Sequence, residues 1–178
     1  MAAMATLKMA AVLSLSMLWA ITGNSYRAPQ TAAPAAPQPQ NETFAREPKQ
    51  VRQDVEQGVK HLLVSQVEAW NRGEIEGFMH GYWHSPELTF YSGATITKGW
   101  EPTLLRYQQR YRGPGKEMGK LEFQDLDIDV LSWRAAVVTG KFQLTMSNGQ
   151  QPHGLFTLVV RRLPAGWRIV HDHTSAAE

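Results

Sequence analysis

Near the C-terminal end of the sequence, His171, Asp172 and His173 stand in a row, and imidazole is the side chain whose ordinary pKa lies closest to neutrality. The run from Trp167 to Thr174 has the composition of a β-strand, in which successive side chains point to opposite faces. Strict alternation puts Trp167, Ile169, His171 and His173 on one face and Arg168, Val170, Asp172 and Thr174 on the other. Two imidazoles aligned in this way would take up and return a proton, or hold a carbonyl or anionic group by hydrogen bonds. The same spacing also fits one packed structural histidine and one solvated one. His171 and Asp172 are therefore the candidate catalytic acid and base, although strand neighbours point apart and do not bond each other side by side.

His80 and His84 are four residues apart, and with His171 and His173 they would supply four imidazoles, enough for a zinc ion. Gly81 lies between the first two and Ser85-Pro86 ends the helix at His84, so the geometry is broken and no metal is expected. No cofactor is expected either: Gly113-Pro114-Gly115 lacks the Lys and Ser or Thr of a phosphate loop, and the chain has no cysteine. Tyrosines are the remaining chemical resource. Tyr82, Tyr91, Tyr107 and Tyr111 each join an apolar ring to a polar tip, the lining that a small apolar ligand with one or two oxygens requires. Tyr82, Tyr91, Trp100, Tyr107, His153 and His173 are the expected pocket residues.

The elements that must position these groups are legible in the hydrophobic spacing. Val55, Val59, Leu62, Leu63, Val67 and Trp70 recur at helical intervals, with Gln66 the polar exception, and Asn71-Arg72-Gly73 ends that helix. A shorter helix is expected from Glu74 to Tyr82, then two short strands from Leu88 to Ser92 and Ala94 to Thr97, then a third helix after Gly99. Four long strands follow, from Lys120 to Leu131, Arg134 to Ser147, Gln151 to Arg162 and Trp167 to Thr174. Ser132-Trp133, Asn148-Gly149 and Pro164-Ala165-Gly166 separate them. In the first of these Leu126, Ile128 and Val130 alternate with Asp125, Asp127 and Asp129, so the aspartates form a wet face. Helices gathered before an antiparallel meander predict an α+β fold rather than a doubly wound one.

The first fifty residues read differently. Lys8 precedes an apolar run from Met9 to Ile21 and small residues follow at Gly23 and Ser25, which predicts a signal peptide over residues 1–25, or alternatively an uncleaved N-terminal membrane anchor. Residues 26–50 carry a stretch with four prolines and no large apolar side chain between Ala28 and Gln40, the composition of a tether. The folded domain is expected over residues 51–178, secreted or periplasmic, and the absence of cysteine means that packing alone holds it together. The net charge of +2 belongs to the first fifty residues, since the rest has 14 basic and 14 acidic side chains. That balance disfavours a nucleic-acid partner.

The order helix, helix, hairpin, helix and four strands resembles the nuclear transport factor 2-like superfamily. Ala69-Trp70-Asn71-Arg72-Gly73-Glu74, Lys98-Gly99-Trp100 and Gly166-Trp167-Arg168-Ile169-Val170-His171-Asp172-His173-Thr174-Ser175 are similar to its SnoaL-like branch, and the chain is similar to the association domain of calcium/calmodulin-dependent kinase II. The resemblance implies a cone-shaped, cystatin-like α+β barrel, three N-terminal helices packed in a curved antiparallel sheet, and a homodimer. It implies an exported domain whose pocket binds a small apolar molecule bearing a polar group. Two alternatives stay open: a proton-transfer isomerase, dehydratase or cyclase in the same pocket, or a non-catalytic association module.

Overall fold

The computed structural model describes residues 48–177, and the signal peptide and most of the tether expected above lie outside the described residues. Helix α1, Lys49–Asn71, buries Val55, Val59, Leu62, Leu63, Gln66, Ala69 and Trp70 along one stripe, the face that apolar residues at helical spacing must hide. Gly73 takes the left-handed conformation, φ 79°, that ends it. The polar exception on the stripe is satisfied, because the Gln66 amide donates to the carbonyl of Phe78 at 3.1 Å and so ties α1 to α2, Ile75–Met79.

α2 is shorter than the helix expected from Glu74 to Tyr82. Beyond it the backbone leaves the helix to bridge a strand edge: Ile169 N–H donates to the Gly81 carbonyl and Trp83 N–H donates to the Ile169 carbonyl, both at 2.9 Å. Gly81 makes room for the buried Gln66 beside that bridge, since a Cβ there would lie 2.5 Å from the Gln66 side chain.

The hairpin β1, Thr89–Ser92, and β2, Thr95–Lys98, is followed by α3, Trp100–Tyr111, and then by β3, Lys120–Ser132, β4, Ala135–Thr145, β5, His153–Leu163, and β6, Gly166–Ala176. The strands form one six-stranded sheet in the order β2-β1-β6-β5-β4-β3. This ladder has two free ends, so the sheet is curved and unclosed, and the helices pack against it in the α+β arrangement expected from the sequence. It is also mixed, because β1 pairs with β6 in parallel while the other pairs are antiparallel. The reason is the bridge just described: Tyr82 already runs parallel to Ile169, and the chain continues along the same edge of β6 into β1.

Helices and sheet enclose one core. Leu63, Ile75, Met79, Val138, Val160 and Ile169 have at most 1% of their surface exposed, and burying each aliphatic side chain contributes about 1.5–3 kcal/mol. Two strands change parity along their length. In β3 a bulge between Gln124 and Asp127, with Asp125 at φ 51°, allows Leu121 and Phe123 before it and Ile128 and Val130 after it to pack on the same side. In β6 a second irregularity lies between Ile169 and His171, opposite Val160 and Val159.

Candidate functional site

The β6 bulge decides which groups enter the interior. Ile169, before it, pairs with Val160, and Asp172, after it, pairs with Leu158, whereas His171 pairs with Val159 and His173 with the exposed Thr157. Ile169 and Asp172 are therefore both buried, at 1% and 3% exposure. His171 and His173 do share a face, as alternation requires, but it is the outer one. The faces expected for the C-terminal half of the strand are thus interchanged, because one extra residue moves every later side chain across the sheet.

Asp172 is held by two hydroxyls, one of which meets a third. Tyr82, fixed beside β6 by the backbone bridge, donates its hydroxyl to Oδ2 at 2.7 Å. Thr174, the next inward residue of β6, donates to Oδ1 at 2.7 Å. Tyr107 comes from α3, and its hydroxyl lies 3.4 Å from that of Tyr82. The Tyr107 ring is packed edge-on against Trp70 and Phe78, with centroids 6.0 and 5.3 Å away. Phe90, the register partner of Asp172 on β1, stands 5.7 Å from Tyr107 on another side.

Burial pushes the Asp172 carboxyl up to about 6, against the opposing pull of the Thr174 and Tyr82 hydroxyls. Burial also raises both tyrosines, and the Asp172 charge raises them further. Both phenols therefore remain neutral donors while the carboxyl gains or loses its proton near neutrality. With the Tyr82 proton on Asp172, the one proton available to the 3.4 Å contact between the hydroxyls, or to an incoming molecule in its place, is that of Tyr107.

These groups form part of the wall of a cavity of about 790 Å³, within the range of small-molecule sites. Most of the wall is aromatic or aliphatic: Trp70, Phe78, Phe90, Phe123, Phe142 and Phe156 supply rings, with Leu121, Leu144, Leu158 and Ile169 between them. Exposed residues Arg110, Lys116, Glu117, Pro152 and Ala176 also belong to the lining, and they mark where the cavity meets solvent.

Of the residues singled out in the sequence, Tyr82, Tyr107 and Asp172 line this cavity, as does Tyr111. Tyr91, Trp100, His153, His171 and His173 do not. Tyr91 follows the inward Phe90 and so faces out, where its ring meets His171 and His173 at 5.0 and 6.0 Å. His171 shares a 2.6 Å hydrogen bond with Thr89, and partial burial together with the neighbouring His173 lowers its pKa. Trp100 donates to the Met79 carbonyl at 2.9 Å and lies tilted against His84, which makes it a strut between α3 and α2. His153 is exposed on the outer side of β5, its Nδ1 3.0 Å from the Gln151 carbonyl. Among the described residues no group of three or more His, Cys, Asp or Glu is placed to hold a metal ion.

Sequence reading missed Thr174 and the cations of the rim. The first was detectable as a hydroxyl two positions from a candidate acid, and Arg106 and Arg110 as cations one helical turn apart on α3.

Comparison with known proteins agrees with this architecture. The sequence profile of the SnoaL-like domain matches residues 59–178. A nuclear transport factor 2-like protein of unknown function from Shewanella oneidensis is 37% identical, over 67% of this chain and 98% of that one, with a TM-score of 0.63. A cystatin-like fold protein from Burkholderia xenovorans is 24% identical over 69% of this chain and 92% of that one, with a TM-score of 0.54. A Xanthomonas campestris chain described as a calcium/calmodulin-dependent protein kinase II association domain is 18% identical, over 67% and 85% of the two chains, with a TM-score of 0.51. None of the curated proteins compared with the chain matches it. With its profile match spanning most of the sequence and its helices set against one curved sheet, the chain belongs to the SnoaL-like domain family, of the nuclear transport factor 2-like fold.

Proposed function

We propose that the cavity binds a small, largely apolar molecule carrying an oxygen or nitrogen, and that Asp172, Tyr82 and Tyr107 hydrogen-bond that polar atom. The observation that carries this reading is the carboxyl of Asp172, 3% exposed and bonded only to hydroxyls, in the wall of an otherwise apolar cavity of about 790 Å³. A buried acid without a cationic partner costs stability, and a binding site is a reason to keep one. Under this reading the domain is exported, as the first 25 residues of the sequence suggest.

Native mass spectrometry of the full chain purified from its own host tests the proposal. A retained small molecule in the wild type, absent from the Asp172→Ala and Tyr107→Phe variants, is the expected result. Retention unchanged in both variants would remove these residues from the ligand's site.

A second reading, proton-transfer isomerase, dehydratase or cyclase, is favoured by one specific feature: the Asp172 carboxyl titrates at about 6, where a side chain both accepts and returns protons at useful rates. Asp172 would then move the proton and Tyr107 would stabilise the developing oxyanion. Exchange of a carbon-bound hydrogen of the retained molecule with deuterated solvent, lost in Asp172→Asn, separates catalysis from binding.

A further inference from the structure

We infer that the molecule taken up by this cavity is an amphipathic anion, with its apolar body among the aromatic rings and its oxyanion held at the rim by Arg106 and Arg110 of α3 together with Lys116. The inference rests on the binding reading above and narrows the ligand class.

Five charged side chains belong to the cavity lining, the three cations and the acids Asp172 and Glu117. Neither acid is paired with a cation. Asp172 is held by Tyr82 and Thr174, and Glu117 accepts from the backbone N–H and the hydroxyl of Ser147 at 2.8 and 2.9 Å. The ion pairs among the described residues join Arg72 to Glu74, His84 to Glu101, Arg112 to Glu76 and Lys141 to Asp125. None of them engages Arg106, Arg110 or Lys116.

The arginines are also set for an oxyanion. They lie one helical turn apart and so share a face of α3. The Arg106 guanidinium carbon is 5.6 Å from the centroid of Phe90, and that of Arg110 is 6.0 Å from Tyr111; both rings belong to the cavity wall. A guanidinium lying against a ring keeps its N–H edge available, and that edge matches a carboxylate, sulfonate or phosphate. Two like charges one turn apart repel each other, and a bound anion relieves the repulsion. The Lys116 ammonium donates to the Gln109 carbonyl and has two more protons to give. The ligand's orientation follows from Asp172, whose own negative charge turns an anionic group away from the interior and toward the cationic rim.

Two fluorescent probes that share one apolar skeleton test the inference on the full chain: anilinonaphthalene sulfonate and its neutral counterpart phenylnaphthylamine. Both are expected to bind and to displace each other. The Arg106→Gln/Arg110→Gln double variant should bind the sulfonate about tenfold more weakly and the neutral probe as before. Raising sodium chloride from about 50 to about 300 mM should weaken only the sulfonate in the wild type, a readout that does not depend on any variant folding. If the neutral probe binds and the sulfonate does not, or if the variant and salt leave the sulfonate unaffected, the inference is overturned while the binding reading stands. If neither probe binds, both fall.

Discussion

The two faces of β6 beyond its bulge place chemically similar groups in opposite circumstances. Inside, Asp172 is almost wholly withdrawn from water, held by two hydroxyls, and its carboxyl is pushed up to about 6. Outside, His171 and His173 lie against Tyr91 and Thr89 with solvent access, and His171 is lowered rather than raised. Desolvation is the leading cause in both, and it disfavours the charged form in both: the acid holds its proton longer and the base gives its proton up sooner. Side chains one residue apart thus acquire opposite pH behaviour from the same physical cause, and the bulge decides which of them is the interior one.

The sharpest way to break the comparison is Asp172→Asn. The native carboxyl, raised above its unfolded value, binds its proton at a pH where the unfolded chain has released it, so the wild type loses stability as pH rises from about 4 to about 6. Asparagine keeps the shape without the charge. The variant should be more stable than the wild type by about 2–3 kcal/mol at pH 8 and about equal to it at pH 4, measured by urea denaturation. A destabilisation of the same size at both pH values would mean that Asp172 is a structural acceptor and not a strained acid.

Removing a donor has the next largest effect. Tyr82→Phe leaves Oδ2 of Asp172 without its 2.7 Å partner, at a cost of about 1–3 kcal/mol where the carboxylate is ionised. It should also move the carboxyl further up, so that the loss shrinks in acid. Tyr107→Phe should cost less, because its hydroxyl reaches only Tyr82, at 3.4 Å. Equal losses in the two variants at every pH would indicate that the rings, not the hydroxyl chain, carry the effect.

The outline of the fold was legible because its signals are local. Valines and leucines at helical spacing mark α1, Gly73 and Gly149 adopt the positive φ that helix ends and tight hairpins need, and the order of elements follows. The identity of the interior face was not legible. Ile169, Val170 and His171 contain no glycine, proline or asparagine to announce a bulge; the irregularity falls where the neighbour of β6 changes from the segment around Tyr82 to β1. That is information about tertiary pairing, as is the parallel sense of β1. Asp172 stood out by residue type, and its placement required knowing what lay alongside. Tyr91 went astray for the same reason, since a tyrosine next to an inward phenylalanine looks no different in sequence from one that replaces it.

The smallest expected effects are on the outer face, and they test whether the two faces communicate. Because the folded pKa of His171 is lowered, the unfolded chain takes up a proton first as pH falls, so the wild type loses stability below the ordinary histidine value. His171→Gln should therefore gain relative stability only in acid, whereas Asp172→Asn gains only above it, and at pH 8 the histidine variant should stay within about 0.5 kcal/mol of the wild type. His173→Gln is the more informative probe. The charge of His173 lowers both neighbours, so removing it should move the titrations of His171 and Asp172 upward together, read by NMR of the imidazole and carboxyl resonances. A shift in His171 alone would mean that the sheet screens the interior carboxyl from its outer face. A concerted shift would make the outer histidine a remote control on the proton of the cavity.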